Sequence, residues 1–77
     1  MTDGNKASTE TPPTFLDRLR QEQSELQTRI DRLQMALENG SLNQLSEAAL
    51  CLLREQLAVM VKYNKILKIR LELLDAR

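Results

Sequence analysis

The chain has no histidine and no tryptophan, one cysteine (Cys51), one phenylalanine (Phe15) and one tyrosine (Tyr63) in 77 residues. Each absence closes a class of function. Without His there is no imidazole metal site and no Ser-His or Cys-His nucleophile. A single Cys excludes an intramolecular disulfide and any Cys-pair metal site, and fits a reducing compartment. Two Gly and two Pro, all before residue 41, are too few turn residues for a small β-barrel. Aromatic residues at 3% and few β-branched ones argue against strands. No uninterrupted apolar run of about 18 residues is present, so no membrane span is expected. The first residues, MTDGNKASTETPP, lack the apolar core of a signal peptide. Charge of one sign is not in excess either: 11 basic residues face 11 acidic ones. A non-specific nucleic-acid or anionic-membrane binder is usually clearly basic. No cofactor, no metal and no enzymatic activity are expected. A binding or assembly module remains.

What is present is a helix composition, dominated by Leu, Gln, Glu, Arg, Lys and Ala. Residues 1–13 read as a disordered polar tail ending in Pro12-Pro13. Residues 14–77 read as a helical hairpin. Thr14-Phe15-Leu16-Asp17 fits a capping box, so a first helix is expected over about 15–38. Asn39-Gly40 stops it, because Gly readily takes the left-handed conformation after a last turn. Ser46 is a good N-cap, with Glu47 favourable in the next turn, for a second helix over about 47–75. At 1.5 Å per residue the helices are about 36 and 43 Å long. A short link between two long helices makes an antiparallel hairpin.

The seams repeat by threes and fours. Helix one carries Leu16, Leu19, Gln23, Leu26, Ile30, Leu33 and Leu37. Helix two carries Leu50, Leu53, Leu57, Met60, Asn64, Leu67, Leu71 and Leu74. Gln23 and Asn64 are the polar members, a device that commonly fixes register or oligomer state. Cys51 is expected beside the seam, small and half-buried. Helix two also carries a second row, Leu52, Val59, Ile66 and Leu73. At 100° per residue the apolar arc is then about 160° wide, against a little over 100° for an ordinary surface helix. One hairpin partner cannot cover that arc. The fold class expected is all-α, an antiparallel two-helix hairpin assembling into a homo-oligomeric bundle, as a dimer or a tetramer.

Three polar residues, Gln56, Tyr63 and Arg70, recur every seven positions inside the arc. A buried unpaired amide or hydroxyl costs about 1–3 kcal/mol, so something must meet them. One answer is protein across the oligomer interface: Arg70 with a carboxylate such as Glu22 or Glu25, Gln56 with a backbone or seam amide, Tyr63 packed with its hydroxyl bonded at the rim. The other is a ligand. Arg70 offers a fork for phosphate, Tyr63 a flat face for a base, and Gln56 an amide for a base edge. Residues 62–70 hold Lys62, Lys65, Lys68 and Arg70 with no acid. Lys65 and Lys68 are therefore candidates to hold an anion near Arg70; a solvated basic face is the alternative.

Helix two also resembles a known pattern. Leu52-Leu53, Gln56, Met60, Tyr63, Leu67 and Arg70 fit LL-x-x-Q-x-x-x-M-x-x-Y-x-x-x-L-x-x-R, found in a family of small phage proteins first named from crAss-like phages. Leu26, Arg29-Ile30, Leu33 and Leu37 fit that family's first helix, and Leu45-Ser46 its Leu-Ser before helix two. Ala36 departs from it, standing where a bulkier, often aromatic residue is expected. The resemblance covers about residues 15–74. It implies an anti-defence sponge acting in the host cell cytoplasm. Such a sponge binds a cyclic nucleotide immune signal of the CBASS type, or a cyclic ADP-ribose signal of the Thoeris type. Gln56, Tyr63 and Arg70 are the carried-over ligand residues. The rivals are a structural coiled-coil adaptor that docks a protein on its apolar face, and a small nucleic-acid-binding regulator using the Lys62–Arg70 face.

Overall fold

The computed structural model describes residues 14–75, so the expected tail and the last two residues lie outside the described residues. Two helices form the structure: α1 (Phe15–Glu38) and α2 (Glu47–Asp75), packed against each other as a hairpin. The all-α hairpin and both expected helix boundaries are as the spacing indicated.

Each boundary has its local cause. Thr14 is extended, and its Oγ accepts from Asp17 N at 3.1 Å while Asp17 Oδ2 accepts from Thr14 N. That reciprocal pair satisfies two helix-end donors; losing such a cap costs about 1 kcal/mol. At the other end Asn39 N still donates to Met35 O, and Gly40 then turns the chain at φ +80. A Cβ there would be strained by that φ and would stand 3.0 Å from Asn43 Nδ2. Asn43 N and Leu45 N donate back to Gly40 O and Leu42 O, which winds the link into tight turns. Ser46 Oγ then accepts from Ala49 N at 3.1 Å and starts α2.

The core is small. Leu19, Leu26, Ile30 and Leu67 are buried, with Leu57, Met60, Leu71 and Leu74 packed against them. All eight are seam residues. The two polar seam positions meet in one layer: Gln23 Nε2 donates to Asn64 Oδ1 at 3.0 Å, and Asn64 Nδ2 donates to Gln27 Oε1 at 2.8 Å. Asn64 is 6% exposed, so these two bonds remove what would otherwise be a desolvated, unpaired amide. Because only one longitudinal alignment satisfies all three amides, the layer pins the register of the hairpin. Gln27 is the member the heptad pattern did not single out. Arg20 and Asp75 tie the open end at 3.0 Å, an exposed pair of small energetic weight.

Cys51 is exposed, which corrects the expectation of a half-buried residue beside the seam. No helix among the described residues is long and apolar enough to cross a membrane.

Candidate functional site

The second apolar row of α2 has no partner within the hairpin. Leu52, Val59 and Leu73 are each 66% exposed and Ile66 is 47% exposed. This confirms that α1 covers only one side of the arc. The polar row Gln56, Tyr63 and Arg70 borders that uncovered row and is exposed with it. Within one chain these three groups are therefore not entombed; they stand at the shoulder of the apolar face, between it and the hairpin seam.

A row on α1 answers them. Phe15, Glu22 and Arg29 are also seven apart, and in the antiparallel hairpin they run opposite Arg70, Tyr63 and Gln56. The Arg70 guanidinium carbon lies 5.8 Å from the centroid of the Phe15 ring, within cation–π range. Tyr63 donates its hydroxyl hydrogen to Glu22 Oε2. Arg29 and Gln56 line one groove. Within one subunit the row therefore already has protein neighbours, a different matter from the pairing between copies considered from the sequence. Arg70 meets an aromatic ring, not a carboxylate. Glu22 serves Tyr63. Gln56 touches no backbone or seam amide: its Nε2 lies 3.9 Å from the Met60 sulfur, one turn along α2.

Lys65 and Lys68 are exposed, but helical geometry separates them from Arg70 by about 140° and 160° around α2 at 100° per residue. One subunit does not bring them to the shoulder. Distance also divides the row itself. Gln56 and Arg70 are fourteen residues apart, about 21 Å of helix. One compact ligand cannot touch both ends in a single subunit, so the shoulder runs from an open end at Arg70 through Tyr63 to a loop end at Gln56.

The Tyr63–Glu22 bond has an electrostatic signature. Donation to the Glu22 carboxylate, then partial burial and the Glu22 charge, raise the Tyr63 pKa, while Arg70 pulls the other way. The neutral phenol is the form the fold favours. Its contribution to stability is present below the ordinary tyrosine value and fades as pH rises through the raised one. With one Tyr and no Trp, ultraviolet absorbance reports this group alone. Glu22→Gln is expected to lower the midpoint toward about 10. An identical midpoint in the variant means that Glu22 does not hold the phenol.

Among the described residues no cluster of His, Cys, Asp and Glu is placed to hold a metal ion. The side chains that spacing on α2 could not supply are Phe15, Glu22, Arg29 and Arg32. The signal for the first three was the heptad repeat of α1 read antiparallel to Gln56, Tyr63 and Arg70.

Fold and face together define a short helical hairpin with one uncovered apolar face bordered by a ring, an amide and cationic groups. The family model named Sequestin matches residues 13–73, and the chain belongs to that family. The sponge-type family expected from the motif on α2 is borne out at that level, and the family's name fits a sequestering function. No curated protein and no solved structure matches the chain.

Proposed function

We propose that this chain is a phage-encoded sponge. It self-assembles through the uncovered face of α2, as a dimer or tetramer, and sequesters a cyclic nucleotide immune signal at subunit interfaces. The signal is a cyclic oligonucleotide of the CBASS type or a cyclic ADP-ribose of the Thoeris type, and its removal in the host cytoplasm blocks anti-phage defence. One observation carries the reading: in a Sequestin-family chain, an exposed phenol and guanidinium, Tyr63 and Arg70, lie along the edge of an apolar row that a second copy would cover.

The mechanism is stoichiometric capture without turnover. Arg70 already leans on Phe15, which presets its planar fork for phosphate. Tyr63 offers a ring face while its hydroxyl is held by Glu22. Gln56, at the loop end of the row, reads a base edge or ribose. Lys65 and Lys68 contribute from a neighbouring copy. Two copies of one residue set around a two-fold axis suit a ligand with two similar halves. Capture succeeds when the dissociation constant lies below the concentration at which the host effector responds, and when sites outnumber signal molecules.

The test is a thermal-shift panel of cyclic di- and trinucleotides and cyclic ADP-ribose isomers on the full chain, read beside its mass in solution. At least one member is expected to raise the melting temperature of an oligomer. Arg70→Ala is expected to weaken that ligand at least tenfold, about 1.4 kcal/mol, while the oligomer persists. Tyr63→Ala is expected to lose about 1–3 kcal/mol of affinity through lost stacking. No shift with any nucleotide would sink the sponge reading. It would favour the adaptor, which uses the same apolar face for a protein partner.

A further inference from the structure

The loop end of the hairpin holds a groove of about 460 Å³ between α1 and α2. Its size falls within the range of about 300–1,000 Å³ usual for small-molecule sites. The floor is apolar, from Leu33, Leu53 and Met60. It opens over Ala36, whose methyl leaves space that a larger side chain would fill, and Leu42 of the link closes the end. Arg29, Arg32 and Gln56 supply the polar part of the wall. Arg29 and Arg32 are three positions apart on α1, so they are neighbours on its surface. Both are exposed. Among the described residues the ion pair is Arg20 with Asp75, and neither Arg29 nor Arg32 has a carboxylate partner. Glu25 lies one turn before Arg29 and shares the neighbouring hollow with both arginines without pairing to either, so an anion set between the two guanidiniums would meet both.

We infer that this groove is a second anion station, in which Arg29 and Arg32 grip a phosphate while a flat ring lies on the apolar floor and Gln56 meets its polar edge. The ligand class is a phosphorylated compound with a planar base. Arginine forks bind phosphate oxygens in pairs, and the floor gives a ring what a bare phosphate cannot use. The station lies about 21 Å along α2 from Arg70, so it is separate from the Tyr63 and Arg70 station. Gln56 stands at its border with the uncovered face, since it also lines the surface hollow of Leu52, Glu55, Ala58 and Val59. A second copy seated there would roof the groove. The ring-binding half of this inference rests on the sponge reading; the anion-binding half does not.

The experiment uses the full chain labelled with 15N and two probes. Sodium pyrophosphate is titrated first, following the arginine side-chain Nε–H signals. Saturable shifts at Arg29 and Arg32, ahead of Arg18 and Arg54, are expected. Arg29→Gln with Arg32→Gln should weaken pyrophosphate at least tenfold, and Arg18→Gln, an exposed arginine outside the groove, should leave it unchanged. Both variants are surface substitutions and keep the hairpin. Equal, non-saturating shifts at all arginines would overturn the station. The second probe is whichever cyclic nucleotide shifts the melting temperature. It should bind more tightly than pyrophosphate, and Ala36→Leu should erase that advantage without touching pyrophosphate. A nucleotide that ignores the arginine pair overturns this inference and spares the sponge. Pyrophosphate bound at the pair with no nucleotide bound anywhere leaves the anion station standing and removes the sponge.

Discussion

Leu67→Ala is expected to melt the hairpin. Leu67 is 0% exposed and belongs to the same buried cluster as Leu19, Leu26 and Ile30, so α2 presents it to the inner face of α1. Truncating a buried Leu to Ala costs about 2–5 kcal/mol, partly from lost transfer energy and partly from the cavity left behind. A core of this size seldom supplies more than about 3–5 kcal/mol in total. The substitution therefore removes most of what one subunit has. For a domain of this length each kcal/mol moves the melting temperature by about 4–8 °C. Circular dichroism at fixed concentration should show a fall of about 10 °C or more, or loss of helix at room temperature. A change of only one or two degrees would mean that contacts outside the hairpin core carry the stability.

The second large effect concerns the other face of the same helix. Val59→Glu with Ile66→Glu places two carboxylates on the uncovered row. In a lone subunit Val59 is 66% and Ile66 47% exposed, so charges there are solvated and cost little. In an assembly that buries the row, the same charges lie unpaired in an apolar interface, at a cost of several kcal/mol each. Light scattering or sedimentation is expected to show an oligomer for the wild type and a single subunit for the double variant. Unchanged mass would end the proposal that copies meet on this face. The two substitution sets also separate two sources of stability. Leu67→Ala attacks the hairpin itself, whereas the glutamates attack only what lies beyond it. A double variant that also loses helix would show that the hairpin depends on assembly, as its small core leads one to expect.

Much of this molecule was readable in one dimension because its forces are local or periodic. Thr14 with Asp17, Asn39-Gly40 and Ser46 mark helix ends through bonds spanning two to four residues, so spacing alone places them. A heptad of Leu positions declares an inner face without knowledge of any neighbour. The arc on α2 too wide for one partner is likewise a property of one helix. The partners across the hairpin were another matter. That Asn64 would take both Gln23 and Gln27, that Glu22 would serve Tyr63, and that Arg70 would settle on Phe15 depend on the longitudinal alignment of α1 with α2. A shift of one turn would redistribute every pair.

The position of the lysines shows the same division from the opposite side. Lys65 and Lys68 lie close to Arg70 in the chain, which made them candidates for one anion site. Helical twist carries them to the far side of α2, so closeness in sequence became separation in space. Arg29 shows the converse, since it is far from Gln56 in sequence and shares a groove with it.

By itself the sequence determined the two helices, their caps, their seam and the excess of apolar surface on α2, since each follows from short-range bonding or from the 3.6-residue period. Only the tertiary structure decided which polar side chains face one another, that one amide layer locks the alignment, and that a groove opens at Arg29, Arg32 and Gln56. Those features are set by the relative placement of two rods, a quantity that no single rod encodes.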